Sequence, residues 1–477
     1  MPLNNALGSA RIMTKPTQLV YPTVDLFLYD LRDGLGQYPL EINRHRQKFG
    51  QKMAANLDEK ELAQLAALEN PEADYVPLLA QPFDSPLDGY SYALQLGDIY
   101  ALHVACAGEY KDANSQKRNN STQNIENLSK LKQTIVAKIN QSVEPREIRP
   151  EQQGTIGQTW LISVQIADSN QDPQQLAKAC YEQITPNPNW KPDFKEQGRL
   201  LGARVFEYWH LPTNWTQDWE EFSQENYHII ICLFPAGKNI AEIRQKLEDI
   251  YLDFTRLFGY RHKIIWSYWQ SRRLTAQLKK QSVEIRDLVA KVKDLSQQRP
   301  SQGVNLNELQ LALTQSLPSL SDYAFNLNDL EFQANMIKVN LENYKKRLQK
   351  LERESTSYLK ILANFSDFTE EKYLQQIETD CSYLRPGLIL LENLIRTIGS
   401  TSQIEQTKRD RTLNTTVAVV GLGLAISCIT ATVLVEQMPP AQETPFFLTV
   451  VFWGSICTGL IAVAIALVGF SRHRYRQ

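Results

Sequence analysis

The stretch VAVVGLGLAISCITATVLV, residues 417–435, contains no charged side chain, and a second such stretch, FFLTVVFWGSICTGLIAVAIALVGF, occupies residues 446–470. The two stretches are 19 and 25 residues long. The hydrocarbon core of a bilayer is roughly 30 Å thick and a helix rises ~1.5 Å per residue, so either stretch can cross a membrane. Buried helices of water-soluble proteins rarely contain so long an apolar run. The sequence therefore predicts two transmembrane helices.

Basic residues flank this pair of helices at its two outer ends. Glu436 and Glu443 lie in the connecting segment, which has no Lys or Arg. The flanking basic residues are Lys408, Arg409, Arg411, Arg472, Arg474 and Arg476. Because basic residues resist translocation, we expect both termini in the cytoplasm and the connecting segment outside. The expected location is the inner or plasma membrane, with the lipid bilayer as a partner.

Composition fits a water-soluble body with a membrane segment. Of the 477 residues, 43% are hydrophobic and 22% are charged, and the formal net charge is −2. This charge gives no reason to expect nucleic acid as a partner. The six cysteines include no CxxC pair, which argues against a disulfide framework or a zinc site. The N-terminal residues lack the apolar core of a signal peptide, so we expect the C-terminal helices to direct insertion.

The first half of the chain alternates between strand-like and helix-like segments. A hairpin is predicted over residues 91–106, turning at Gly97-Asp98. Further strands are predicted over 19–31, 159–167, 203–211 and 227–234, and helices over 58–70 and 172–184. A mixed sheet covered by helices is the expected product. We therefore assign the fold class α+β or α/β to a cytoplasmic domain over residues 1–237.

Beyond residue 238 the apolar residues follow a heptad spacing. The longest series runs from Leu330 to Phe365, a second runs from Leu374 to Ile398, and a weaker one covers 278–295. Breaks at 299–301 and near Ser366-Asp367 predict three helices that form an antiparallel coiled-coil stalk. Such a stalk is compatible with a passive spacer and with a transmitter of force. Pro386-Gly387 predicts a kink in the last helix.

These observations predict a linear order of segments. A cytoplasmic α/β domain is followed by a helical stalk, a first transmembrane helix, an external loop, a second transmembrane helix and a basic cytoplasmic tail. In the same order, the predicted ranges are 1–237, 238–412, 413–436, 437–445, 446–470 and 471–477.

This order resembles the CorA-type family of two-transmembrane magnesium transporters, over about the last 240 residues by layout. Met438-Pro439 in the loop matches the Met-Pro that commonly follows the family's Gly-Met-Asn motif. That motif is absent, and Leu434-Val435-Glu436-Gln437 stands at the outer end of the first transmembrane helix. The resemblance implies a homo-oligomer, a pentamer in this family, whose first transmembrane helix lines a pore. It implies a divalent cation as the bound ion, but the missing motif does not support magnesium selection.

The first predicted transmembrane helix has a face of small and hydroxyl side chains. Thr416, Gly423, Ser427 and Thr430 follow one another at intervals of seven, four and three, which places them on one side of a helix. This face is suited to lining a narrow pore or to close packing between helices. Glu436 lies at the outer mouth, where an oligomer would form a ring of carboxylates that attracts cations.

Few residues of the predicted soluble part point to chemistry. The chain has no phosphate-binding loop, HExxH motif or nucleophile elbow, so we do not expect an enzyme. Asp25, Asp30 and Asp33 are concentrated near the end of a predicted strand, where they are candidates for binding a ligand or metal, or for turn and capping roles. Metal ligands and cofactors are otherwise left open.

Two functional hypotheses follow. In the first, the protein is a CorA-like homo-oligomeric channel or transporter for cations, gated by a cytoplasmic sensor domain. In the second, it is a membrane-anchored sensor, scaffold or stress or defence effector that transports no ions. Ion flux through purified protein in liposomes separates them.

Overall fold

The computed structural model describes residues 17–34, 39–52, 59–70, 76–77, 83, 87–108, 122–139, 154–185, 194–215, 218–297, 306–355, 357 and 359–406. The chain divides into two compact units. The first unit combines residues 1–269 with 336–373, and the second combines 270–335 with 374–477.

One mixed sheet forms the centre of the first unit. Its strands are β1 (Gln18–Leu31), β2 (Val76–Pro77), β3 (Asp88–Leu96), β4 (Ile99–Ala107), β5 (Thr122–Asn124), β6 (Gly157–Ile166), β7 (Phe194–Leu200), β8 (Ala203–His210) and β9 (Tyr227–Phe234). The order across the sheet is β2-β3-β4-β1-β6-β9-β8-β7, and β5 also pairs with β1. β6 and β9 are parallel, and the other pairs are antiparallel. All the strands predicted from the sequence are confirmed.

The hairpin turns follow from local backbone chemistry. Gly97 lies between β3 and β4 with φ +65°, as the predicted turn requires. Leu201 and Gly202 join β7 to β8 and both have positive φ, the signature of a tight two-residue hairpin turn. β7 itself was not predicted, because FKEQGRL has no apolar alternation and lies at the end of the sheet.

One face of the sheet is covered by four helices. They are α1 (Pro39–Gln51), α2 (Glu59–Ala67), α3 (Asn127–Ile139) and α4 (Pro173–Ile184), and the sequence predicted α2 and α4. On the strand β1, Val24, Leu26 and Leu28 face these helices in one buried apolar cluster. We call this side the apolar face. A short helix, α5 (Trp219–Glu225), lies between β8 and β9 in the chain.

The opposite face of the sheet packs against α6 (Ile240–Gln297), a helix of 58 residues. The alternate residues of β1 face it: the hydroxyl of Tyr29 donates to the carbonyl of Thr255 at 2.7 Å, and the rings of Phe27 and Phe258 lie 5.3 Å apart. We call this side the α6 face. The first unit is thus an α+β sheet domain with helices on both faces, which confirms the fold class expected for this part of the chain.

Three further helices follow α6 in the part of the chain that the structure describes. They are α7 (Leu306–Ser355), α8 (Lys360–Phe368) and α9 (Gln375–Gln406), and a π-helical turn over Thr369–Leu374 joins the last two. The predicted heptad positions of the longest series are confirmed to be buried, since Leu330, Ile337, Tyr344 and Leu351 are all fully buried. The expected break near Ser366-Asp367 is wrong, because these residues continue the helix.

The break lies instead between Ser355 and Lys360. The hydroxyl of Ser355 donates to the carbonyl of Leu351, and the side chain of Glu352 accepts from the backbone N–H of Leu359 at 2.8 Å. Serine side chains compete with the helical backbone in this way, and a carboxylate can take the place of a carbonyl acceptor for an N–H at the start of the next helix. The seam spacing continues across the break, which concealed it in the sequence.

The second unit contains contacts between its own helical segments. Arg272 donates to Asp380 at 2.6 Å, and Asn326 donates to Gln281 at 3.1 Å. Tyr323 donates to the carbonyl of Leu384 beside Gly387, where a Cβ would meet the Tyr323 hydroxyl at 2.4 Å. Pro386 does lie inside α9.

The predicted transmembrane segments lie outside the described residues. This applies to the ranges 413–436, 437–445, 446–470 and 471–477, and to the predicted stalk break at 299–301. No helix within the described ranges is both long and apolar enough to span a bilayer. The division of the chain at residues 237 and 412 stays a prediction, and α6 begins at Ile240.

Candidate functional site

A small cleft opens on the α6 face, between the sheet and the first turns of α6. It holds about 50 Å³, room for a few water molecules or one small polar group. Polar side chains from four elements line it: Tyr21, Asp88, Tyr90, Ser163, Gln165, Arg244, Glu248 and Tyr251. An irregularity of β1 between Val20 and Thr23 places Tyr21 at its rim with φ +45°.

An ion pair closes one side of this cleft. Arg244 on α6 lies 2.8 Å from Asp88 on β3, with the Arg244 guanidinium 5.8 Å from the centre of the Tyr21 ring. On the other side, the hydroxyl of Ser163 is buried and has no hydrogen-bond partner in the part of the chain that the structure describes. A buried hydroxyl without a partner is costly, so this wall of the cleft is suited to a polar ligand or water.

Asp25, the first of the aspartates singled out in the sequence, lies buried below the cleft. His103 Nε2 lies 3.0 Å from Asp25 Oδ1, and the Tyr251 hydroxyl is 3.3 Å from Oδ2. Phe27 stacks on the His103 ring at 4.4 Å. Burial raises the pKa of Asp25 against the lowering effect of His103, and burial also raises the pKa of Tyr251. The cleft thus rests on a hydrogen-bonded acidic group that α6 contacts directly.

The other two aspartates do not join this group. Asp30 binds Lys52 at 2.6 Å and accepts from the backbone N–H of Thr155 at 2.7 Å. Asp33 lies 3.9 Å from Arg32, and its pKa is raised by burial. Each of the three therefore has separate partners, and in the described residues no group of three or more His, Cys, Asp or Glu side chains is arranged to hold a metal ion.

A second polar cluster lies fully buried on the α6 face. The hydroxyl of Thr159 on β6 is 2.8 Å from His228 Nδ1 and 2.8 Å from His262 Nε2. His228 Nε2 is 3.1 Å from Glu207 Oε1. Burial raises the pKa of Glu207 to about 7 and lowers the pKa of both histidines. Four side chains from β6, β8, β9 and α6 thus form one continuous chain of hydrogen bonds.

Arg261 lies next to this cluster and is fully buried. Its guanidinium stacks 4.4 Å from the Phe365 ring and 5.6 Å from the Trp209 ring, which are favourable cation–π distances. None of its three side-chain nitrogens has a hydrogen-bond partner among the described residues. Burial lowers the pKa of Arg261, and the charge of Glu207 opposes that effect. A buried cation without hydrogen bonds destabilises a fold, so its presence points to a role other than stability.

An open groove of about 810 Å³ lies between α6 and the end of α7 in the first unit. Its charges are mixed, and Asp253 in its wall binds Arg347 at 2.5 Å and Lys350 at 3.0 Å. Burial opposes the ionised form of Asp253, but these bonds outweigh it and hold its pKa low. The paired charges make this groove a weaker candidate for binding than the cleft.

The sequence pointed to Asp25 but missed most of its surroundings. His103, Tyr251, Glu207 and Arg261 are far apart in the chain, and two of them, His103 and Glu207, are isolated polar residues in otherwise apolar segments. That isolation was the available signal, because a polar residue inside a buried run needs a partner. The pore candidates Thr416, Gly423, Ser427, Thr430 and Glu436 lie outside the described residues.

Comparison with known proteins identifies no relative of this chain. It matches no protein-family model, no curated protein and no solved structure.

Proposed function

We propose that this protein is a CorA-like homo-oligomeric channel or transporter for cations, gated by its sheet domain, with both termini in the cytoplasm. In this proposal the two C-terminal apolar stretches cross the inner or plasma membrane. The sheet domain acts as a sensor, and the long helices form an antiparallel stalk that carries its response to the membrane. No catalytic step is part of this function.

The observation that carries the proposal is the uninterrupted length of α6, together with the position of α9 in the chain. α6 contributes Arg244 and Tyr251 to the polar cleft and continues without interruption to Gln297. α9 ends at Gln406, eleven positions before the uncharged stretch that begins at Val417. A continuous helix can transmit a displacement along its length, because its backbone hydrogen bonds resist local deformation.

The pore in this proposal is formed by several copies of the first transmembrane helix. One helical hairpin cannot enclose a channel, so oligomerisation is required, and the CorA resemblance favours five subunits. Ser427 and Thr430 line the channel, and Glu436 forms an acidic ring at its outer mouth that concentrates cations. The bound ion is a divalent cation in the family that the layout resembles.

The test is cation flux through full-length protein in liposomes, with magnesium and potassium as separate probes. We expect flux above that of empty liposomes. Ser427→Leu should abolish it, because a ring of bulky apolar side chains dewets a narrow constriction. Glu436→Lys should reduce cation entry by about ten-fold or more, whereas the matched change Glu443→Lys, further along the loop, should have a smaller effect.

A membrane-anchored sensor or effector is the second candidate. It is favoured by the replacement of the family's Gly-Met-Asn motif by residues 434–437. In that case the wild type and all three variants would insert without any flux.

For the channel proposal, native mass measurement of the same preparation should give a closed assembly of more than two chains. A stable monomer would rule out the pore.

A further inference from the structure

The buried hydrogen-bond chain from Glu207 to His262 has only one consistent polarity when Glu207 is ionised. A carboxylate accepts, so His228 donates from Nε2, and its Nδ1 must then accept the hydroxyl proton of Thr159. The Thr159 oxygen in turn accepts from the Nε2–H of His262. His262 Nδ1 is left as a bare acceptor, and it has no partner among the described residues.

Protonation of Glu207 on Oε1 reverses every one of these bonds. Glu207 then donates to His228 Nε2, His228 donates from Nδ1 to Thr159, and Thr159 donates to His262 Nε2. His262 carries its proton on Nδ1. The two states differ by one proton. This proton enters at His262 Nδ1, and each proton already in the chain moves to the next hydrogen-bond partner. The last of them, from His228 Nε2, arrives at Glu207 Oε1. No other bond changes.

The second oxygen of Glu207, Oε2, is the alternative position for this proton. A proton on Oε2, like the proton on His262 Nδ1 in the switched state, has no acceptor within the described ranges, and it would leave the histidine tautomers unchanged. A proton on Oε1 meets His228 Nε2 at 3.1 Å instead. The charged or titratable groups that face Glu207 are Arg261 from α6, His228 from β9, Tyr344 from α7, and Lys195 and Glu196 from β7.

We propose that Glu207, His228, Thr159 and His262 form a buried proton-binding site in which uptake of one proton at Glu207 switches the tautomer of His262 on α6. The proton is then a ligand of the sheet domain, bound at a site separate from the polar cleft. The inference goes beyond the proposed transport function and does not rest on it, because the switch is a property of the sheet and α6 alone.

The surroundings of His262 explain how the switch reaches the backbone. A Cβ on Gly157 would lie 2.4 Å from His262 Nδ1, so only glycine leaves room for the ring, and Gly157 has φ +152°. The Tyr29 ring lies 5.4 Å from the His262 ring and is hydrogen-bonded to α6 through Thr255. Changing Nδ1 from acceptor to donor therefore alters a tight contact between β6, β1 and α6.

The test is nuclear magnetic resonance of full-length protein in lipid bilayers with ¹⁵N-labelled histidine, which distinguishes the two tautomers. On acidification, two of the six histidines should switch from Nε2–H to Nδ1–H with a midpoint near 7. The infrared band of a protonated carboxyl group should grow with the same midpoint. In Glu207→Gln, both changes should be lost.

Two matched substitutions on β6 locate the coupling. Thr159→Val removes the hydroxyl between the histidines, so His262 should stop switching while Glu207 still titrates. Ser163→Ala removes another buried hydroxyl on the same face of the same strand and should leave the switch intact. The proposal is overturned if both histidines of the wild type keep one tautomer over this pH range, or if His262 still switches in Thr159→Val. The wild-type measurement decides even where a variant does not fold.

Discussion

The two faces of the central sheet are formed by the same strands, but one face is apolar and the other carries buried polar side chains. On β1, Val24, Leu26 and Leu28 pack into the apolar face, whereas the intervening Asp25 lies on the α6 face with Phe27 and Tyr29. The α6 face also holds Glu207, His228 and Arg261, all buried, and Glu207 and Arg261 carry polar atoms that have no hydrogen-bond partner among the described residues.

This difference separates stability from function within one domain. Apolar burial stabilises a fold whatever the ligand, at about 25 cal/mol per Å² removed from water. Buried polar groups that lack partners destabilise it, and proteins retain them chiefly where they bind or switch. We therefore expect substitutions on the two faces to differ in sign as well as in size.

The largest effect is expected on the apolar face. Leu26→Ala removes a fully buried side chain and should lower the free energy of unfolding by about 2–5 kcal/mol, through lost burial and the cavity left behind. Chemical denaturation of the full-length protein in detergent measures it. The control is Leu62→Ala on α2, where the side chain is 48% exposed and the loss should be below about 1 kcal/mol. Equal losses at both positions would contradict the division of roles.

On the α6 face, the contribution of Glu207 to the free energy of unfolding should depend on pH. The pKa of Glu207 is raised from its ordinary 4.5 to about 7 in the folded protein. Its contribution to stability is therefore fully present below about pH 4.5 and is lost as pH rises through about 7, a decline of about 3 kcal/mol. Glu207→Gln should remove that decline. Thermal unfolding at a series of pH values tests it, and an unchanged pH profile would show that Glu207 does not titrate in this range.

A substitution of Arg261 should change the free energy of unfolding in the opposite direction from the substitution of Leu26. Arg261→Met keeps the contacts with Phe365 and Trp209 but removes a buried charge that has no hydrogen bond in the described structure, so stability should rise by about 1–3 kcal/mol. The pKa of Glu207 should rise further, because Arg261 lowers it. Arg347→Met is the control, since Arg347 binds Asp253 and its loss should not stabilise. A destabilised Arg261→Met would mean that the guanidinium has partners in solution.

The smallest effect is expected at Ser163 in the wall of the cleft. Its buried hydroxyl has no partner in the described ranges, so Ser163→Ala should change the free energy of unfolding by less than about 0.5 kcal/mol. Denaturation under the conditions used for Leu26→Ala provides the comparison. A loss above about 1 kcal/mol would indicate that an ordered water or a bound ligand holds the hydroxyl.

The sequence predicted the six longer strands β1, β3, β4, β6, β8 and β9 because each of them carries its own local signal, whereas the short strands β2 and β5 were not predicted. The hairpin at Gly97 and the continuous apolar run of β9 are local patterns, and both are confirmed. β7 has no such pattern and was missed, since its strand form depends on pairing with β8. The break after Ser355 was misplaced because the buried spacing on its two sides continues in register.

By itself, the sequence determined the alternation of apolar residues in the strands, the buried heptad spacing along α7, and the presence of the two uncharged stretches near the C-terminus. These properties depend on neighbours a few positions away. Only the tertiary structure decided that Asp25 meets His103 and Tyr251, and that Glu207 is linked to His262 through His228 and Thr159. Such partners lie tens to hundreds of residues apart, and sheet order, register and the docking of α6 bring them within hydrogen-bond distance.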